Sequence, residues 1–326
     1  MSHWMRINET GGPEVLTWEE RDLDAPGPGE ARIRHAAVGL NFTDVHRRRG
    51  DHHFPTPVPC SLGLEAAGLV EEVGDGVTEV EVGDRIAYAA MPLEAYSDER
   101  VLAAERLVPL PDSVDEKVAA ASLVKGLTVQ FLIRQTFRVE PGQVVVFHAA
   151  AGGVGLIACQ WLKHLGVTTI GTVGSEAKAE IALAHGADHV LIHGKDDVAG
   201  LARDLTDGRG VPVVYDSIGQ ATFNESIRAL APRGMLVSFG NVSGHVEPVQ
   251  LGKIFAPESL FFTWARLHQY IETREALLGA ARDLFDVIES GAVKVEINQT
   301  YPLHEASRAH ADLEARKTTG SSVLIP

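Results

Sequence analysis

Val144-Val-Val-Phe-His148-Ala-Ala-Ala-Gly152-Gly153-Val154-Gly155 decides the fold, because it joins a β-branched run to a turn of small residues that opens an apolar helical segment. Set against G-x-G-x-x-G, Gly152 and Gly155 take the second and third places, and Ala150 stands in the first. The second glycine lets backbone approach a pyrophosphate and the third lets the helix pack on its strand. The helix N-terminus adds unpaired N–H groups and a partial positive charge. The alternative is a glycine-rich turn with no ligand, and the surroundings argue against it. From about residue 118, short apolar runs at 144–148, 168–173, 189–192, 211–215, 235–239 and 260–263 alternate with helical patterns at 153–165, 176–185, 198–206, 221–230 and 251–255. Six strands spaced by helices predict an α/β domain of the Rossmann type, with a doubly wound parallel sheet.

Upstream the chain changes character. Gly11-Gly12-Pro13, Pro26-Gly27-Pro28-Gly29 and Gly74-Asp75-Gly76 punctuate short alternating runs at 31–38, 68–73 and 85–88, the pattern of a mostly β, barrel-like unit. After the parallel sheet come a helix at 273–290 and a strand-like tail at 322–325, which has no place in the Rossmann sheet and is expected to return to the first domain. The expected division is therefore 1–122 with 266–326 for the β-rich catalytic domain, and 123–265 for the dinucleotide domain.

Composition narrows the partners. The 326 residues are 45% apolar and 22% charged, with a net charge of −15, and apart from Arg47-Arg48-Arg49 the basic residues are scattered, so a nucleic-acid partner is not expected. Cys60 and Cys159 are too few for a disulfide framework or a cysteine-based zinc site, which suits a reducing cytoplasm. Neither a signal-type apolar run nor a membrane-length stretch is present, so a soluble, cytoplasmic protein is expected.

The kind of dinucleotide is read after the second strand, at Thr172-Val173-Gly174-Ser175-Glu176-Ala177-Lys178. NAD enzymes place a carboxylate there on the ribose 2′-hydroxyl, whereas NADP enzymes leave room and add a cation. Val173, Gly174 and Ser175 are uncharged, Ser175 offers a hydroxyl, and Lys178 lies one helical turn on, so NADPH is the expected cofactor. Two alternatives stand beside it: Ser175 as a plain N-cap with Lys178 in solvent, and Glu176 as an acidic neighbour suited to NADH.

Asn41-Phe-Thr-Asp44, Gly63-Leu-Glu65, Lys125-Gly126-Leu-Thr128, the His148 to Gly155 stretch, Tyr215-Asp-Ser-Ile-Gly219, Ser238-Phe-Gly-Asn241 and Gly320-Ser-Ser-Val-Leu-Ile-Pro326 follow one another along the chain. Together they resemble the zinc-independent NADPH:quinone oxidoreductases related to zeta-crystallin, within the medium-chain dehydrogenase/reductase superfamily, over nearly the whole length. The resemblance implies that the β-rich part is a GroES-like domain. It also implies cofactor contacts at Asn41, Lys125, Thr128, Gly152, Gly153, Val154, Gly155, Ser175, Lys178, Ser217, Phe239, Gly240 and Arg316. Where that family usually carries Asn-Tyr after the third strand, this chain has Ile192-His193, which makes His193 the substitute beside the adenosine phosphate.

Zinc alcohol dehydrogenases of the same superfamily resemble the chain in layout, and hold their catalytic zinc where Asn41, Leu64 and Lys125 stand here. None of these three is a plausible zinc ligand, so no metal is expected. Of the histidines, His46, His52 and His53 form the cluster nearest the presumed cleft, and a solvated or stacking role is expected for them. Without a Lewis acid, alcohol oxidation loses the group that stabilises an alkoxide, whereas a quinone or enone is already electrophilic and needs orientation and a hydrogen-bond donor.

Asn41 and Thr128 are the candidates for holding nicotinamide and substrate oxygen, with Asp44 positioning its neighbours. His46 either donates the proton or simply faces solvent beside the arginine run. His52, His53 and Phe54 are expected in a loop at the cleft mouth, and Trp264 near the exit of the Rossmann sheet. The expected activity is NADPH-dependent quinone reduction. Reduction of α,β-unsaturated aldehydes or ketones, and a non-enzymatic NADPH-binding role, are the alternatives. The apolar last strand at a sheet edge predicts a homodimer.

Overall fold

Short strands broken by Gly and Pro must find partners far along the chain, and the β-rich part is built that way. Its strands are β1 (Ser2–Ile7), β2 (Leu16–Arg21), β3 (Glu30–Gly39), β4 (Cys60–Ser61), β5 (Glu65–Val73), β6 (Arg85–Ala89), β7 (Glu99–Ala103) and β8 (Val108–Pro109). The helical half contributes β9 (Val144–His148), β10 (Thr168–Val173), β11 (His189–Ile192), β12 (Val211–Asp216), β13 (Leu230–Ser238) and β14 (Phe261–Trp264), and the chain closes with β15 (Ile297–Pro302) and β16 (Ser321–Ile325). The computed structural model describes residues 2–51 and 56–326; His52, His53 and Phe54, expected at a cleft mouth, lie outside the described residues.

In the β-rich unit one sheet runs β2-β1-β4 and the other β15-β16-β3-β5-β6-β8, with β7 also on β3. β3 alternates so that Ala31 and Ile33 are buried, and they join Leu62, Val70, Ile86 and Leu324 in one apolar core. The C-terminal tail leaves the Rossmann sheet as expected. β16 lies antiparallel on β3, with Val323 opposite Gly39 and Leu324 opposite Val38.

The second sheet has the order β11-β10-β9-β12-β13-β14, and every recorded pairing in it is parallel. Continuous apolar runs such as Val144-Val-Val-Phe suit strands buried on both faces. The order reverses between β9 and β12, so loops leaving the C-terminal ends of those strands diverge and open a crevice there.

Two expected boundaries are corrected. The helix predicted at 221–230 spans only Phe223–Ala229, and the strand predicted at 235–239 begins earlier, at Leu230. Pro232 and the left-handed Arg233, with φ of 62°, end the helical run. The ladder then shifts register between the Val211 and Val213 pairs, taking up the intervening residues.

The chain divides into two units. One runs to Lys125 and includes Glu272–Glu289 and Val295–Pro326; the other comprises Gly126–Ile271 and Ser290–Lys294. The division falls inside helix Glu116–Phe131. This helix is continuous across the composition change near residue 120, which is why the boundary lies a few residues later than composition places it.

Within the β-rich unit, His35 is fully buried, its Nδ1–H donating to the Ser97 carbonyl at 2.7 Å and its Nε2 accepting from the Tyr88 hydroxyl at 2.9 Å. Burial, aided by the Arg100 and Arg21 charges, drops its pKa from 6.5 to about 3. The unfolded chain takes up that proton first. The neutral imidazole's contribution is therefore complete above about pH 6.5 and is lost as pH falls, at about 1.4 kcal/mol per pH unit. Chemical unfolding of wild type and His35→Asn between pH 6.5 and 4.5 is expected to show the variant's stability falling less steeply by about that slope; parallel slopes would contradict a neutral buried His35.

Candidate functional site

In the β-rich unit the site is organised by Glu65, the first residue of β5, whose carboxylate is fully buried. Oε1 accepts from Asn41 Nδ2 at 2.8 Å and lies 3.3 Å from Lys125 Nζ, while Oε2 accepts from the Val124 N–H at 2.6 Å. Space for it comes from Gly39, where a Cβ would stand 2.3 Å from Glu65 Oε1 and 2.3 Å from the Ala120 carbonyl. One side chain thus ties the end of β3, the start of helix Phe42–Arg49 and helix Glu116–Phe131 together, and it leaves Asn41 and Lys125 nearly buried.

Asn41 precedes helix Phe42–Arg49, and its N–H donates to Asp44 Oδ2 at 2.9 Å, so the first turn is closed by its own acidic residue. Asp44 is fully enclosed. Burial, reinforced by the Glu65 charge, pushes its pKa up to about 7 against the opposing pull of its backbone donors and Lys125. Behind it Tyr96 Oη lies 3.4 Å from Asp44 Oδ2 and 2.9 Å from His310 Nε2, and the buried Arg48 pairs with Glu314 at 2.7 Å. His46, on the same helix, has Nδ1 2.8 Å from Asp51 Oδ1 and is half-buried rather than fully solvated.

In the parallel-sheet unit, helix Gly153–His164 starts at Gly152 with no side chain capping it, so its first N–H groups face outward from the turn. The glycines there serve different ends. A Cβ on Gly155 would stand 2.3 Å from the Ala149 carbonyl, so this glycine is required by the chain's own packing. At Gly152 a Cβ would meet Ala149 O at 3.3 Å, a tight contact but no clash, and φ is −81°, so the fold's own packing constrains this glycine far less than Gly155. That is the property a close-approaching phosphate group requires.

Ser175 caps the helix Glu176–Ala184, accepting from the Lys178 N–H at 3.4 Å. The capping reading of Ser175 therefore holds, but its geometry is long. Among the described residues no acceptor or anion meets the Lys178 ammonium, which leaves it free for a phosphate. His193 follows β11 half-buried, with Nδ1 unpartnered and 3.9 Å from Glu225 Oε2. Ser217, Phe239 and Gly240 meet at the ends of β12 and β13; a Cβ on Gly240 would lie 2.8 Å from the Ser217 carbonyl, and the Phe239 ring lies 5.8 Å from Phe147.

Expected residues therefore gather in two groups: Asn41, Asp44 and Lys125 around Glu65, and the Gly152–Gly155 turn, Ser175, Lys178, His193, Ser217, Phe239 and Gly240 at strand ends of the parallel sheet. Thr128 is three residues beyond Lys125 on one helix, and so on the same face. Arg316 belongs to the β-rich unit, exposed in a left-handed turn with φ of 58° after helix Ala306–Glu314. Trp264 ends β14 opposite Ser238. Sequence reasoning gave no role to Glu65; its signal was a lone carboxylate in the apolar run Leu62-Gly-Leu-Glu-Ala-Ala-Gly68.

Both cysteines are free thiols, and among the described residues no three His, Cys, Asp or Glu side chains are placed to hold a metal ion. Among the same residues no helix is long and apolar enough to cross a membrane.

Comparison with known proteins places these groups in context. Residues 27–112 match the alcohol dehydrogenase GroES-like domain, and residues 153–278 the family described as zinc-binding dehydrogenase. A quinone oxidoreductase of Pseudomonas aeruginosa is 51% identical over 317 residues, 97% of each chain. A 2-haloacrylate reductase of a Burkholderia species is 42% identical over 326 residues, 98% of each chain. The crystal structure of Escherichia coli quinone oxidoreductase complexed with NADPH superposes with a TM-score of 0.96 at 45% identity, covering 99% of this chain and 100% of that one.

Replacing Glu65 tests the first group. Glu65→Gln removes the counter-charge of the buried Lys125 and turns an N–H toward one of three donors, so it is expected to cost about 3–5 kcal/mol. Denaturant unfolding measures this; a loss below about 0.5 kcal/mol would contradict the pairing.

Proposed function

The chain belongs to the quinone oxidoreductases of the medium-chain dehydrogenase/reductase superfamily, and on that premise we propose that it reduces quinones with NADPH, using no metal. The observation that carries the reading is the Gly152–Gly155 turn, at the uncapped start of a helix and at the reversal point of a parallel sheet. Bound NADPH supplies the hydride.

The chain's own residues bind and orient. The N–H groups of Gly153, Val154 and Gly155 would receive the pyrophosphate, with Gly152 allowing its close approach. Ser175 and Lys178 hold the 2′-phosphate, with His193 and Arg316 contributing to the adenosine end. Ser217, Phe239 and Gly240 carry the middle of the cofactor, and Asn41, Lys125 and Thr128 hold the nicotinamide end and the substrate oxygen. Asp44 keeps Asn41 in place through its N–H. His46, oriented by Asp51, is the proton donor to the reduced quinone oxygen. Gly152–Gly155, Ser175, Lys178, His193, Ser217, Phe239 and Gly240 belong to the parallel-sheet unit, and Asn41, Asp44, His46, Lys125 and Arg316 to the β-rich one.

Zinc independence is supported by the chemistry of positions 41, 64 and 125: an amide, an alkyl group, and an ammonium already committed to Glu65. A quinone needs no metal to accept hydride, since its reduced oxygens are stabilised by aromatisation and hydrogen bonds. A second reading, reduction of electron-poor alkenes conjugated to a carboxyl or carbonyl, is favoured by the likeness to the 2-haloacrylate reductase. NADPH oxidation measured with naphthoquinones, enones and 2-chloroacrylate decides between them: quinones are expected to give the highest kcat/KM, and a preference for the alkenes would replace the first reading by the second. The paucity of cysteines and both thiols being free suit a cytoplasmic protein.

A homodimer is proposed from β14. It is the last strand of the parallel sheet, and Phe261 and Phe262 are 51% and 47% exposed, an apolar edge of the kind that pairing covers. Light scattering at micromolar concentration is expected to give twice the chain mass, and Phe261→Glu with Phe262→Glu to give the monomer; a monomeric wild type would remove the proposal.

Cofactor preference gives the sharper test. A charged hydrogen bond to phosphate is worth about 1.5–3 kcal/mol, roughly a tenfold to hundredfold change in affinity. Lys178→Ala is expected to weaken NADPH by that order while NADH affinity barely changes. Because the family resemblance puts Arg316 among the cofactor contacts, the single and double alanine variants belong in one titration series. An unchanged NADPH to NADH ratio in all of them would remove the phosphate assignment.

A further inference from the structure

Beneath the strand ends that carry the cofactor turns lies a buried polar chain with no place in the chemistry above. His148, the last residue of β9, is wholly buried. Its Nδ1 is 2.7 Å from Thr172 Oγ1 on β10, and its Nε2 is 3.0 Å from Ser226 Oγ on helix Phe223–Ala229. Ser226 Oγ in turn donates to Asp216 Oδ2 at 2.9 Å, at the end of β12. The Thr222 carbonyl is also 2.9 Å from that hydroxyl, but a hydroxyl with one hydrogen favours the charged acceptor.

That choice sets the direction of the rest. Ser226 can then only accept from His148, so Nε2 carries the imidazole hydrogen and Nδ1 accepts from the Thr172 hydroxyl. Burial lowers the His148 pKa and keeps the ring neutral, as a ring with one N–H must be. The chain runs Thr172 to His148 to Ser226 to Asp216 and ends on a carboxylate. None of its side-chain atoms is among the buried, unpartnered ones of the described residues.

Each end of the chain also holds a turn. Thr172 accepts the Ala150 N–H on its carbonyl at 2.9 Å and so holds the small-residue turn, whose first residue, Ala149, is in the left-handed region with φ of 56°. Asp216 Oδ1 accepts the N–H groups of Ile218 at 2.7 Å and Gly219 at 3.0 Å, and Thr222 Oγ1 at 2.9 Å, which folds the chain around Ser217. Its backbone carbonyl takes the Phe239 N–H at 2.9 Å. The strands have no need of this chain for their pairing. Backbone ladders already join β10 to β9 at Thr172 and His148, and β12 to β9 at Tyr215 and Phe147. What the side chains add is a fixed relation among loops leaving three adjacent strands on both sides of the reversal point.

We propose that Thr172, His148, Ser226 and Asp216 are positioning residues for NADPH: they hold the turn at 149–152 and the turn at Ser217–Gly219 in one preformed arrangement before the cofactor arrives. They touch no reacting atom and act through the backbone of those turns. Preorganisation raises affinity by removing the ordering cost from the binding step. The inference rests on the NADPH reading given above.

The test uses the full-length protein and NADPH fluorescence titration, with Ser226→Ala to break the chain at its middle and His148→Gln to keep a donor toward Ser226 while losing the acceptor toward Thr172. Ser226→Ala is expected to raise the NADPH Kd about tenfold, with kcat and the quinone KM at saturating NADPH within about twofold of wild type. Hydrogen exchange at the Ile218 and Gly219 amides of the cofactor-free protein is expected to speed up, and His148→Gln to bind more tightly than Ser226→Ala. A lowered Tm with an unchanged Kd in both variants, or unchanged exchange at those amides, would overturn the proposal and reduce the chain to packing. If wild type itself binds no NADPH in the same titration, the proposed function fails first and the two failures are told apart.

Discussion

A carboxylate taken out of water is tolerable only where donors meet its lone pairs, and both units of this protein are arranged around one that is. Glu65 receives an amide, a backbone N–H and an ammonium from elements on either side of β5. Asp216 receives two backbone N–H groups and two hydroxyls from the loop and helix that follow β12. In each case satisfying the carboxylate dictates where nearby candidate site residues sit: Asn41 and Lys125 in one unit, Ser217 in the other. The cost of an unmet buried charge, several kcal/mol, exceeds what any single surface contact could do to move them.

Asp44 shows the same constraint from the other side. Burial, reinforced by the Glu65 charge beside it, raises it to about 7 rather than leaving it a firm anion. A group that exchanges its proton near neutrality sits directly behind Asn41 and next to the Tyr96–His310 pair.

Much of this was legible in the chain because it depends on local chemistry. The run Val144-Val-Val-Phe followed by small residues can be little else than a strand feeding a turn and a helix, and its six-fold recurrence with helices between gave the order of elements correctly. Helix ends near Pro232 were misplaced because the left-handed Arg233 and a shifted ladder are properties of the assembled sheet. Glu65 and Asp216 passed without a role for a related reason. The partners of Glu65 are 24, 59 and 60 residues away in sequence, and no local pattern reports a contact at that distance. His148 looked like the last residue of a strand, which it is; that it also faces Ser226, 78 residues on, follows only from the parallel crossover. Ser175 illustrates a third case, where two readings are compatible: it caps its helix through the Lys178 N–H and still leaves the Lys178 ammonium without an acceptor among the described residues.

Hydride transfer from NADPH to a quinone with no metal is the claim on which the rest depends, and it is tested most directly in a single turnover. Protein exhaustively treated with chelator and shown metal-free by elemental analysis would be mixed anaerobically with NADPH carrying deuterium at the transferred position and a naphthoquinone, following NADPH absorbance. Metal-free protein that oxidises NADPH in proportion to the quinone reduced, with a primary isotope effect of roughly 2 or more on the chemical step, is the outcome expected of hydride transfer oriented by protein groups alone. Loss of turnover on metal removal with recovery on adding zinc, or no NADPH oxidation with any quinone, would contradict it.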